Sequence, residues 1–196
     1  TSHDPIIVIK DTLGDAAESD IATSKNDDAD LCCDKIHIVY GDFNQNDAQP
    51  YKRYRVTYYA KPSGDNEYYA VYKSKQSWIQ SSESVTGNWS SSCAECFSGE
   101  LIRDHLVDME FIVFDQQGRI INPPPRPDTS SRENLYNIKA VDIRLTFRSK
   151  NEFYRFNAKD DNPRFVKGLG ERTRKFLDKY LRDSVVVTVN TRNIGS

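Results

Sequence analysis

Apolar and polar residues alternate with a period of two along much of this chain. KIHIVY places Ile36, Ile38 and Tyr40 on one face, and YRVTYY repeats the pattern with Tyr54, Val56 and Tyr58. The turn-forming segments GDFNQNDAQP and KPSGDNE separate these runs from each other and from YYAVYKSK, so the three predict an antiparallel meander. HLVDMEFIVFD directs Val107, Met109, Phe111 and Val113 to one side. KAVDIRLTFRS directs Val141, Ile143, Leu145 and Phe147 inward and shows Asp142, Arg144, Thr146 and Arg148 to solvent. SVVVTVNTRN predicts an edge or closing strand, and Ile6, Ile7, Val8 and Ile9 a short one. Two stretches carry helical spacing instead. Residues 11–22 bring Leu13, Ala16, Ala17 and Ile21 together behind Asp11 as N-cap. ERTRKFLDKYLRD aligns Phe176, Leu177, Tyr180 and Leu181. The sum is an α+β fold: an antiparallel β-sheet of six or seven strands with helices packed on one face.

The 196 residues suit a single domain, 1–196, with subdivisions. Residues 1–33 form an acidic N-terminal segment and 34–194 a β-rich core. Within the core, 76–99 reads as a Ser- and Cys-rich loop and 116–134 as a proline-rich connection. The net charge of −2 excludes a protein that binds polyanions over its whole surface. The charge is nevertheless uneven. Residues 1–34 hold nine acids against Lys10 and Lys25, and residues 164–182 hold seven bases against Glu171 and Asp178. Such blocks read either as solvated faces or as surfaces that meet a partner. On the second reading Arg172, Arg174, Lys175, Lys179 and Arg182 are the interface residues. No apolar run reaches the 18 or so residues of a membrane span.

The residues point away from catalysis. His3, His37 and His105 have no ligand at metal spacing, and the common nucleophile, phosphate-loop and zinc-protease motifs are missing from the sequence. Cys32, Cys33, Cys93 and Cys96 leave three states open: disulfides, a zinc site, or free thiols. Adjacent Cys32 and Cys33 are poor partners for one metal and would close a strained ring with each other. Disulfides crossing between the two pairs would close loops of about 60 residues, each contributing about 4 kcal/mol. No cofactor is expected except calcium, for which Asp42, Asn44, Asn46 and Asp47 start a D-x-N-x-N loop. Asp47 and Arg53 stand where an EF-hand needs glycine and glutamate, so this is not an EF-hand. Asn88-Trp89-Ser90 fits a glycosylation sequon, and Trp78 and Trp89 offer flat faces to sugar or to the core.

From Asp34 onward the order of segments resembles a known family. DKIHIVYGDF, YRVTYYAKP, EYYAVYKSK, GELIRDHLVDMEFIVFDQQGRI, YNIKAVDIRLTFRSKNEFY and a closing VVVTVNTRN occur in that order over residues 34–194. This is similar to the globular part of type IV minor pilins of the W class and of J-type pseudopilins of type II secretion. The resemblance implies a non-enzymatic subunit near the tip of a pilus or pseudopilus. Its implied partners are other minor pilins or pseudopilins and the major filament subunit, with no nucleic acid. Its implied place is the periplasmic side of the inner membrane before assembly and the cell exterior after it. The family's leader, its methylated processing site and its long apolar helix are not among these residues, so membrane contact is expected only through a helix outside them. The four cysteines match no pattern of the family. The alternative expectation is an extracellular, adhesin-like module that recognises carbohydrate or a surface.

Overall fold

Ten strands account for most of the structure, a computed structural model that describes residues 4–11, 32–63, 68–80, 87–126, 132–154, 163–169 and 172–191. They are β1 (Ile6–Ile9), β2 (Lys35–Phe43), β3 (Tyr51–Ser63), β4 (Tyr68–Gln80), β5 (Gly87–Ser90), β6 (Phe97–Phe114), β7 (Ala140–Arg148), β8 (Arg164–Lys167), β9 (Thr173–Phe176) and β10 (Arg182–Asn190). The large sheet runs β1-β2-β3-β4-β6-β7-β10, with β5 paired to β4. A separate hairpin joins β8 to β9, and every pairing is antiparallel. The predicted meander is β2, β3 and β4, and the closing strand is β10.

The α+β expectation is overturned. Among the described residues the helical content is one 3-10 turn, Arg132–Asn137. The helix predicted over 11–22 lies, beyond Asp11, outside the described residues. Where ERTRKFLDKYLRD suggested a helix, Thr173–Phe176 is strand β9 and the chain then turns. Helical spacing alone gives a segment this short little stability. The alternation Thr173, Arg174, Lys175, Phe176 also fits a strand, and tertiary contacts decide. The Arg174 guanidinium donates to the Val107 carbonyl at 3.1 Å, which fixes the inward face of β9. Asp178 accepts from the Tyr180 amide at 3.1 Å and pairs with Arg182, which holds the turn into β10.

β6 is the strand on which the sheet folds back. Its first half pairs with β4 through a series of register shifts. A further bulge between Leu106 and Asp108 resets its pairing with β7. Such a bulge bends the strand and breaks the alternation of its side chains. Leu106, Met109, Phe111 and Val113 therefore face the core together, whereas the simple alternation had placed Val107 with the last three. Beyond the bulge β4 no longer follows, and one edge of β6 is left without a strand. The start of β2 covers it. The Asp34 amide donates to the Met109 carbonyl at 2.7 Å, the Phe111 amide donates to the Asp34 carboxylate at 2.9 Å, and Lys10 Nζ reaches the Phe111 carbonyl. Buried backbone groups need such partners, and a carboxylate with an ammonium replaces the missing strand here. Further along the same strand, the Ile121 amide donates to the Val113 carbonyl at 2.9 Å.

The core lies inside this fold. Ile6 to Ile9, Ile36, Ala60, Val71, Leu106, Met109, Phe111, Val113, Leu135, Ile138 and Val141 are buried together, and Ile143, Leu145 and Phe147 pack against them. The inward face of β7 is thus as predicted. Its other face is not the solvated one expected, because Arg144 and Thr146 are buried. Ser184 of β10 bonds to both. The segment carrying β8 and β9 closes over neighbouring acids of β6: the Leu169 amide donates to Glu110 at 2.6 Å and Arg172 to Asp108 at 2.9 Å. Charges on the outer face are therefore internal contacts.

Asp34 is fully buried and ties three elements together, pairing with Lys10 at 2.6 Å and with Arg172 at 2.7 Å. Removing one member of a buried ionic cluster strands the others without a partner. Asp34→Ala is expected to lower unfolding free energy by about 3–5 kcal/mol in a denaturant titration. Arg119→Ala, at a pair whose arginine is 75% exposed, is expected to cost under about 1 kcal/mol. Equal, small losses in both variants would refute this role for Asp34.

Candidate functional site

A concavity lies at the far end of the meander. It is a cleft of about 940 Å³ between the β2–β3 hairpin, the end of β4 and the Cys93–Glu95 turn. Its size falls at the upper end of the range of about 300–1,000 Å³ common for ligand clefts. Its lining residues include Phe43, Tyr51, Tyr54 and Trp78, together with Asp42, Gln49, Lys52, Arg53, Ser77 and Glu95, and the strand register sets Phe43, Tyr51, Arg53 and Trp78 on one face of the sheet and Asp42, Lys52, Tyr54 and Ser77 on the other.

Local chemistry shapes each wall. The hairpin folds because its short polar side chains bond their own backbone, as turn residues of this type do. Asn44 accepts from the Asn46 amide at 3.1 Å, and Asp47 accepts from the Gln49 amide at 3.3 Å. Lys52 pairs with Asp47 across the hairpin, and its hydrogen bond holds that carboxyl below the usual carboxylate range. The opposite wall is closed by a disulfide between Cys93 and Cys96. Lys75 of β4 fastens this wall by pairing with Glu95 at 2.9 Å, and its hydrogen bond likewise holds Glu95 low. The same ammonium sits 4.2 Å from the centre of the Tyr54 ring, a favourable cation–ring contact. Phe43 and Tyr51 are paired across the hairpin with ring centres 4.8 Å apart. They are 57% and 79% exposed. Trp78 is braced from behind by Trp89, edge to face at 5.2 Å, and Trp89 in turn lies under Arg55. Gly87 allows this, since a Cβ there would stand 2.7 Å from the Trp78 ring.

The residues singled out in the sequence fall in two places. Asp42 lies near the end of β2, and Asn44, Asn46 and Asp47 lie on the β2–β3 connection beside the cleft. Oxygens of Asn44 and Asp47 are engaged by the hairpin's own amides and by Lys52. Cys93 and Cys96 form the opposite wall. The region 76–99, read as a loop, in fact contains the end of β4, all of β5 and the start of β6. Cys32 and Cys33 sit at the other end of β2, about 30 Å away at the usual rise per strand residue. Cys32 is paired with Cys33 and Cys93 with Cys96, so bridges crossing between the two pairs, one of the possibilities left open by the sequence, do not form. Among the described residues one set is compact enough to ligate a metal, Cys32, Cys33 and Asp108. Its sulfurs are joined to each other and its carboxylate is held by Arg172.

The basic residues split the same way. Arg172 and Arg174 are not a free face. Arg172 joins Asp11, Asp34 and Asp108, and these acids raise its pKa against the opposing effect of burial. Burial pushes the Asp108 carboxyl up, with Arg172 and Arg174 pulling the other way. Arg182 pairs with Asp178 and Lys179 with Glu152 at 3.4 Å, while Lys175 is exposed. His37 is buried within the sheet, bonded to Thr57 at 2.7 Å, with its pKa pushed down to about 3 by burial, then by Arg55 and Lys35. It is neutral at physiological pH.

Sequence reasoning missed Phe43 and Tyr51. Their signal was a pair of aromatics flanking a polar turn, in FNQNDAQPY, which reads equally well as strand ends.

No protein-family model matches this chain, and no curated protein matches it. Among solved structures, a type IV-like pilin from Thermus thermophilus aligns over 84% of this chain and 81% of its own, with 11% sequence identity and a TM-score of 0.45.

The Cys93–Cys96 bridge closes a loop of only four residues. The loop-entropy relation then gives about 2 kcal/mol, against about 4 for a crossing bridge. Replacing both cysteines by serine is expected to lower the melting temperature by only a few degrees. A fall of more than about 15 °C would show that the turn supports the fold as a whole.

Proposed function

We propose that this chain is the globular part of a type IV pilin-like subunit, a minor pilin or pseudopilin that acts by assembly near a filament tip. The observation that carries the reading is strand β10. It pairs with β7 on one side and forms the end of the large sheet. Val185, Val187 and Val189 extend the apolar face of Leu145, Ile143 and Val141, their cross-strand partners, yet each remains about half exposed. Val186, on the opposite face, is 52% exposed. A long apolar edge of this kind is a hazard for a free-standing protein unless something covers it. A filament subunit covers such a surface with neighbouring elements. The order of sequence motifs from Asp34 to Asn193 supports the same assignment, because each quoted segment that the structure describes supplies a strand of one antiparallel sheet.

The test uses the full-length protein in its native cells. Intact mass and N-terminal sequencing are expected to find a processed, methylated residue followed by about 20 apolar residues upstream of this segment. Val185→Lys with Val187→Lys is expected to leave the isolated domain folded and to abolish its recovery in sheared filaments. An ordinary secretory leader, or normal filament incorporation of the double variant, would reject the reading.

A further inference from the structure

We infer that the open edge of β10 pairs with the same edge of a second copy of this chain, antiparallel about a two-fold axis at Val186. This names the partner of the strand on which the assembly reading stands, and it rests on that reading in taking β10 as a strand that is covered in use.

The first observation is the state of the edge. All nine residues of β10 match β7 with no shift of register. Among the described residues no strand pairs with its other side. Proteins normally guard such an edge with bulges, charges, proline or shortness. The other edges of this sheet are guarded. The first half of β6 is broken by register shifts and by left-handed backbone at Gly99 and His105. β5 is four residues long, and the four residues of β1 are buried. From Ser184 to Asn190, β10 has no charge, no proline and no glycine.

The second is the direction of its backbone groups. The Ser149 amide donates to the Leu181 carbonyl and the Thr191 amide to the Lys139 carbonyl, both at 2.8 Å. These bonds bracket β10 and keep its register, so the odd-numbered residues between them exchange hydrogen bonds with β7. Ser184, Val186 and Thr188 therefore turn their N–H and C=O groups away from β7. A row of such groups is a template for one more strand.

The third is that the strand complements itself. An antiparallel copy centred on Val186 sets Val186 opposite Val186, Ser184 opposite Thr188 and Val185 opposite Val187. Polar residues meet polar ones and valines meet valines. Ser184, Val186 and Thr188 then fall in the hydrogen-bonded pairs, as their outward groups require. Val185 and Val187, 52% and 48% exposed, join those of the copy in one apolar stripe beside Leu145 and Ile143. Charge selects the same direction. Arg182 and Asp183, the charged residues of β10, stand at its start. The antiparallel copy sets Asp183 opposite Val189 and about 20 Å from the other Asp183 at the usual rise per residue. A parallel copy in register would set the two Asp183 side by side, which is destabilising. A contact confined to strand edges belongs to the small, reversible class of interfaces, below about 1,200 Å².

The experiment is sedimentation equilibrium of this chain, with its disulfides intact, from micromolar to near-millimolar concentration. A reversible monomer–dimer equilibrium is expected, and the Val186 and Thr188 amides are expected to exchange with solvent more slowly as the dimer forms. Val186→Lys and Val186→Glu are each expected to weaken the dimer at least about tenfold, because each sets like charges face to face. An equal mixture of the two variants is expected to recover the dimer, since the same axis then sets opposite charges together. Val186 is half exposed, so neither replacement threatens folding, which circular dichroism would verify. A monomer at every concentration overturns the inference. So do single variants that dimerise like the parent, a mixture that stays monomeric, or a series of larger oligomers, since the two-fold closes at two copies. A monomeric chain whose Val185→Lys/Val187→Lys variant is still lost from filaments overturns this inference and leaves the filament reading standing. A dimeric chain whose same variant enters filaments normally supports the pairing and rejects the filament reading.

Discussion

The fold depends on what happens to the edge of β6 after β4 leaves it. A strand stripped of one neighbour inside a protein exposes amide and carbonyl groups to an apolar interior, which is costly for each unpaired group. Here the Asp34 amide and carboxylate, with the ammonium of Lys10, take the place of the departed strand. The charge this introduces must itself be compensated. Arg172, arriving from the far end of the chain, does so while also engaging Asp11 and Asp108. One set of contacts thus folds the large sheet back on itself, docks the β8–β9 segment and ties the N-terminal region to the C-terminal one.

This arrangement accounts for part of the charge pattern along the chain. The sequence holds an acidic block at one end and a basic block at the other, and each block alone resembles a surface that awaits a partner. Asp11 and Asp34 from the first meet Arg172 from the second, so part of the asymmetry is complementarity within one molecule. Linear charge counts cannot separate these cases, because pairing across 138 positions is a property of the fold. Among the described residues of the basic block, Lys167 and Lys175 are exposed, and Lys179 and Arg182 have local acidic partners.

The strands were legible where one face alone is buried. β2, β3, β7 and β10 carry period-two patterns, and the inward residues of β7 follow them. Legibility failed where two layers compete. β6 is buried on both faces past Leu106, and a bulge that no residue type announces shifts its alternation. The outer face of β7 looks polar because its partners are charged, not because it meets water. The segment around Arg174 has a helical moment and a strand alternation together, and only its docking on Val107 decides between them. At the cleft, the sequence revealed the hairpin, the C-x-x-C turn and Trp78 as separate features. That they meet at one end of the sheet follows from the antiparallel register, which sets Phe43 opposite Tyr51 and Tyr54 opposite Ser77. The molecule consequently has a buried ionic base, an apolar edge at β10 and a cleft at the tip of the meander.

If the edge of β6 depends on the Asp34 contacts, they are the last part of the structure to open. Native-state hydrogen exchange measured by NMR addresses it at single amides. The account predicts that the Phe111 and Asp34 amides exchange only through global unfolding, at least about a thousandfold more slowly than the Gln49 amide of the exposed hairpin. Exchange of Phe111 at a rate close to that of Gln49 would contradict it and would place the stability of the fold elsewhere.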